Sequence, residues 1–218
     1  MAADFNGTSS IIQTTAHGLT AYPVTFACWI QAENMTATRS PLSMGNTTTG
    51  SNGFSIEVST SGTVTVRVLS GGLNSSATST ATVGTGGTSW NHVCGVFASD
   101  TLRTVYVDGA NSVGNTASRA FPTTAMNRTC IGARFNAGVG LNFDGRVAEV
   151  AIWNAALNAD EVRSLGVGYA SPRFVRPSDL VSYTPLIRGV TANAQDLVSG
   201  VTFTGSGVVV ADHVRRLG

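Results

Sequence analysis

The stretch Thr88 to Gly109, TSWNHVCGVFASDTLRTVYVDG, constrains the fold more than any other part of the chain. Its first half carries Trp90, Val93, Cys94, Val96 and Phe97, so apolar side chains point to both faces of an extended segment. Its second half, Leu102 to Val107, is rich in β-branched and aromatic residues, which suit a packed, pleated surface. The polar run Ala98-Ser99-Asp100-Thr101 between them predicts a hairpin, and Asp108-Gly109 opens a second turn. A strand that is apolar on both faces belongs in the middle of a covered sheet, not at an edge.

Period-two alternation recurs on both sides of that stretch. In VTFACWIQ, Val24, Phe26, Cys28 and Ile30 share one face, with Ala27, Trp29 and Gln31 on the other. Pro41 to Gly45 reads as a short strand. Phe54, Ile56 and Val58 alternate, Ser61-Gly62 turns the chain, and Val64, Val66 and Val68 alternate again, which is a second hairpin. Residues 70 to 88, poor in bulk and rich in Gly, Ser and Thr, predict an exposed edge strand with a flexible connection. Ala110 to Thr124 reads as a polar connection. Strands follow at Arg128 to Arg134 and at Asn142 to Trp153. In the latter, Ala148, Val150 and Ile152 are expected on one face, and Val147, Glu149, Ala151 and Trp153 on the other.

One helix stands out, Ala159 to Leu165. Asn158 can cap it, and Glu161 completes an Asn-x-x-Glu capping box. Asp160 and Glu161 also face the positive end of the helix dipole, and Gly166 and Gly168 end the helix. Residues 171 to 178, SPRFVRPS, form a proline-punctuated connector, after which short strands are expected to the end of the chain. The expected organisation is one domain over residues 1–218, with 171–218 a C-terminal extension that completes the sheets.

Charge narrows the partners. Only 11% of residues are charged and the net charge is +1, which gives no electrostatic case for nucleic acid or an anionic membrane. All 13 basic residues are Arg. Cys28, Cys94 and Cys130 sit among apolar neighbours without Cys/His metal spacing, so they read as small buried hydrophobes. No apolar run reaches the roughly 18 residues of a membrane span. MAADFNGTSS has neither a basic nor an apolar leader region, so the expectation is a product made in the cytoplasm.

The ordered set W-N-H-V (Trp90 to Val93), Y-V-D-G (Tyr106 to Gly109), I-G (Ile131-Gly132) and F-D-G-R-V (Phe143 to Val147), followed by A-L-N-x-x-E-V (Ala156 to Val162), resembles the concanavalin A-like, laminin-G-like jelly-roll domains. The resemblance covers about residues 4 to 168. It implies an all-β fold: a two-sheet antiparallel jelly-roll sandwich with one short helix near 159–165. It also implies that Trp90 and His92 belong to a structural motif, with His92 a core histidine held by a hydrogen bond. The tail resembles the ending of free-standing phage members of the family.

Catalytic chemistry is not expected. Retaining glucanases of this fold need two carboxylates about 5 Å apart on one strand. The matching region offers only Asp144 and Glu149, an even–odd pair expected on opposite faces. His17, His92 and His213 lie near no nucleophile elbow, and Gly205-Ser206-Gly207 reads as a turn. The expectation is therefore a non-enzyme with no catalytic, cofactor or metal site assigned. Calcium is the one ion that the family makes relevant, with Asp4, Asp100, Asp144 and Asp196 as scattered donors. Two functions follow. The first is a bacteriophage capsid decoration protein on the virion surface, partnered by the major capsid protein and sister copies in a homo-oligomer such as a trimer. Trp29 and Trp153 would be its outer-face docking residues. The second is an extracellular lectin-like module binding host glycans through Tyr22, Trp29, Asn34, Phe135 and Asn136.

Overall fold

Segments that alternate apolar and polar residues bury one face, and here two sheets bury theirs against each other. The computed structural model describes residues 1–15, 18–48, 50–122, 126–186 and 193–213. Its strands are, in chain order, β1 (Ala2–Asn6), β2 (Ile11–Thr14), β3 (Val24–Ala32), β4 (Arg39–Gly45), β5 (Gly53–Val58), β6 (Thr63–Ser70), β7 (Leu73–Thr82), β8 (Asn91–Ser99) and β9 (Leu102–Val107). They continue with β10 (Asn111–Asn115), β11 (Arg128–Ile131), β12 (Arg134–Phe135), β13 (Val139–Gly140) and β14 (Asp144–Trp153). The helix α1 (Ala159–Gly166) precedes β15 (Leu180–Thr184), β16 (Asn193–Gln195), β17 (Thr202–Ser206) and β18 (Val209–Ala211).

The first sheet runs β10-β9-β8-β3-β14-β1-β18, and the second β16-β17-β2-β11-β4-β5-β6-β7, with all pairings antiparallel. The expected sandwich is the fold observed. Phe26, Cys28, Ile30, Val93, Phe97 and Val105 from the first sheet meet Leu42, Phe54, Ile56, Val66 and Val68 from the second in the main core. The free edge of β14 is shared end to end: β1 pairs with residues 144–147 and β15 with 150–153. The segment after residue 171 thus contributes β15 and β18 to the first sheet and β16 and β17 to the second.

β8 shows why both its faces are apolar. Val93 and Phe97 face the main core, while Cys94 and Val96 join a second core on the outer face of the sheet. That second core is closed by Val162 and Leu165 of α1, by Val175 of the connector and by Leu180 at the start of β15. The capping box of α1 forms as expected: Asn158 Oδ1 accepts from Glu161 N at 2.9 Å, and Glu161 Oε2 accepts from Asn158 N at 2.8 Å. The end of the helix packs backbone to backbone on the Asp108-Gly109 turn. A Cβ at Gly109 (φ +73°) would lie 2.8 Å from Arg163 Cα, and one at Gly166 would lie 2.4 Å from Gly109 N. Only paired glycines permit that approach.

Three expectations are corrected. Residues 111–115 are not a polar connection but the edge strand β10, paired with β9. Trp153 does not face solvent: its ring is fully buried in the second core, and its Nε1 donates to the Val175 carbonyl at 2.8 Å. The alternation in β14 is broken by a bulge between Ala148 and Ala151, with Glu149 at φ +52°. One extra residue shifts the phase. Val147 therefore faces the main core together with Val150 and Ile152, where unbroken alternation put it on the opposite side.

Candidate functional site

Outside the second core, the same outer face of the first sheet opens into a cleft of about 1080 Å³. β3 supplies Ala27 and Trp29, and the start of β8 with its preceding loop supplies Thr88 to Trp90 and His92. The bulge in β14 adds Glu149, the turn after β9 adds Asp108, and the end of α1 with the following loop makes the opposite wall. β18 brings His213 alongside.

Aromatic rings dominate one wall. Trp90 and His213 meet edge to face at 4.5 Å between centroids, Trp29 lies 6.2 Å from His213, and Trp29 packs on His92 at 5.5 Å. Both tryptophans are half-buried, and across the cleft Tyr169 is 81% exposed. Such walls, broad apolar faces with a few fixed polar groups, are the usual make-up of a ligand site.

The polar groups are held from behind. Asp108 joins the W-N-H-V and Y-V-D-G motifs: its Oδ1 accepts from His92 N at 2.8 Å, its Oδ2 accepts from Asn91 Nδ2 at 2.9 Å, and its own N donates to the His92 carbonyl at 2.8 Å. His92 is buried as expected, yet these bonds run through its backbone and not its ring. Its Nδ1 has no hydrogen-bond partner, and burial pushes the imidazole down to about 3, so the ring is neutral at physiological pH. Glu149, 7% exposed, accepts a hydrogen bond from the hydroxyl of the buried Tyr183.

Of the residues expected to hold sugar, only Trp29 lies here. Tyr22 packs edge to face with Phe54 and Phe121, and its hydroxyl donates to the Arg119 carbonyl. Asn34 is exposed just beyond β3. Phe135 and Asn136 flank a gap of about 20 Å³ over the second sheet, beside Glu57, which is ion-paired to Arg67 at 3.0 Å and Arg134 at 3.2 Å. A gap of that size holds a water, not a sugar ring. Trp90, Glu149 and His213 escaped the sequence reading as a site, because Trp29 and Trp90 become neighbours only through the β3–β8 pairing.

The scattered aspartates stay scattered. Asp4 pairs with Arg146 at 3.6 Å, Asp100 is in the β8–β9 turn, and Asp196 is spent capping the turn at Val198 and Ser199 and bonding Tyr183 N. Among the described residues no three His, Cys, Asp or Glu side chains cluster as metal ligands. Asp144 and Glu149 require a corrected reason. Asp144 pairs beside Asn6 on the outer face, and the bulge turns Glu149 to that same face. Five residues of strand nonetheless separate them by roughly 16 Å, well beyond the 5–10 Å that glycoside hydrolysis uses.

A family model described as the concanavalin A-like lectin/glucanases superfamily matches residues 6–163. The chain belongs to that superfamily. No curated protein matches it by sequence. Among solved structures, the superfamily member resembles the heptameric SAP-like pentraxin of Limulus polyphemus (TM-score 0.70, 17% identity, covering 99% of this chain and 97% of that one). It also resembles a putative carbohydrate binding protein from Bacteroides ovatus (TM-score 0.67, 18% identity, 100% of this chain and 61% of that one). A third is domain 4 of the extracellular arabinanase AbnA from Geobacillus stearothermophilus, solved with arabinotriose (TM-score 0.60, 18% identity, 76% of each chain). At these identities the likeness is one of fold, shared with lectin and carbohydrate-binding domains. Among the described residues no helix is long and apolar enough to cross a membrane.

Proposed function

We propose that the protein is a non-catalytic glycan-binding module whose site is the cleft beside α1. The observation that carries this reading is the pair of half-buried tryptophans, Trp29 and Trp90, standing over a floor that holds a buried carboxylate. Sugar rings present apolar C–H faces and hydroxyl edges, and a wall of indoles beside a few anchored acceptors answers both. The cleft volume accommodates a short oligosaccharide. The fold neighbour that was solved with arabinotriose supports the same class of ligand.

Docking to a virus shell needs Trp29 and Trp153 together on the outer face. Because Trp153 is buried, that surface loses one of its two anchors, and the glycan reading is preferred. The test is a glycan array followed by calorimetry on the hits. Trp29→Ala and Trp90→Ala should each weaken binding tenfold or more, equivalent to roughly 1.4 kcal/mol, with an unchanged circular dichroism spectrum. Binding that survives both substitutions removes the cleft as the site.

A further inference from the structure

The cleft has a second aromatic wall, and this step rests on the glycan-binding reading. We propose that Tyr169 is a stacking platform for a sugar unit beyond the one held at Trp29 and Trp90. The cleft then selects glycan chains of three or more units over mono- and disaccharides. The Tyr169 ring lines the wall opposite the tryptophans and is 81% exposed. Its backbone, by contrast, is fixed. Val167 N donates to the Arg163 carbonyl at 3.0 Å, Gly168 N to the Leu165 carbonyl at 3.1 Å, and Ala170 N to the Ser164 carbonyl at 3.1 Å. Gly168, at φ +78°, makes the left-handed turn that ends α1 and so directs the residue after it.

The fold makes little use of the ring that it holds so firmly. Ala170 packs on the second core, Pro172 is buried, and Ser171 Oγ donates to the Tyr183 hydroxyl at 3.4 Å, whereas Tyr169 joins neither core. An apolar side chain just past a helix-ending glycine commonly packs back on the helix, and this one stays out. Tyrosine on a rigid support offers a broad amphipathic face and loses little freedom when a ligand stacks on it. Volume sets the chain length. Pockets of about 300–1,000 Å³ enclose drug-sized molecules, and this cleft measures about 1080 Å³. One sugar ring on the tryptophan wall leaves most of that space, and the far wall, unused; a longer chain reaches both.

Calorimetry on the full chain tests this with arabino-, cello- and galacto-oligosaccharides of two to five units. In at least one series the affinity should rise at least about tenfold from two units to five. Tyr169→Ala should weaken the five-unit ligand about fivefold or more while changing the two-unit ligand less than twofold, with the same unfolding midpoint. Trp90→Ala should weaken every length alike. Phe174, 82% exposed on the same connector, lies outside the lining, and Phe174→Ala should leave all affinities unchanged. Affinity that does not depend on length, a length dependence that survives Tyr169→Ala, or an equal loss in Phe174→Ala overturns the inference and leaves the glycan site standing. Hits on the glycan array without binding of any series also overturn the inference alone. Absence of both removes the glycan reading with it.

Discussion

At the scale of single residues, the cleft is explained by side chains whose roles sequence could half disclose. His92 was legible as buried through the W-N-H-V motif, which the family resemblance marks as structural. That its ring would lack a partner at Nδ1 was not, because this depends on Asp108 spending its carboxylate on backbone and on Asn91. A consequence follows for stability. In the unfolded chain a histidine takes up its proton near pH 6.5, whereas the folded ring resists until about 3. Between those values the unfolded state binds more protons, so this contribution is complete above pH 6.5 and is lost as pH falls toward 3. Denaturant titrations of wild type and His92→Gln from pH 8 to pH 3 should show the variant losing less over that interval, by a few kcal/mol. Parallel profiles would contradict the assignment. Trp153→Phe should cost about 1–3 kcal/mol by leaving the Val175 carbonyl unpaired, while glycan binding stays as in wild type.

Elements were read well where the signal was local, and poorly where one residue altered the count. The 54–58/64–68 hairpin, the β8–β9 pair and the capping box of α1 depend on neighbours a few positions away, and all three form as the pattern implies. The edge strand within residues 70–88 was legible for the same reason. β14 was not, because an inserted bulge residue leaves no mark in a run such as RVAEVAIW, yet it reverses the facing of the residues before it relative to those after it. That single shift put Val147 in the main core, while Glu149 keeps the outer face of Ala151 and Trp153 on which unbroken alternation also places it. Strand β10 was missed because NSVGN has too little apolar content to stand out; its pairing partner decides it. Two predictions belong here. Asn158→Ala removes one side of the capping box and should destabilise by about 1 kcal/mol in thermal or chemical unfolding. Gly109→Ala combines a left-handed backbone with a Cβ forced against α1, and should cost more, roughly 2 kcal/mol or above.

Taken whole, the molecule is a sandwich whose second sheet face is not left to solvent. Helix α1 and the connector after it cover part of the outer face of the first sheet as a second core, and the uncovered remainder is the cleft. The fold was legible from the ordered motifs because each marks a fixed joint: W-N-H-V and Y-V-D-G meet through Asp108, and the glycine of the latter seats the helix. The site was less legible because it draws single residues from β3, β8, β14 and the segment after β18, which no stretch of sequence places side by side. The central claim is that this uncovered portion is where sugar is held. Isothermal titration of the whole protein with the best array ligand, repeated on Trp90→Ala, examines it directly. Saturable binding that weakens at least about tenfold in the variant, with the same unfolding midpoint, is the outcome expected. Equal affinity in the two proteins would contradict the account.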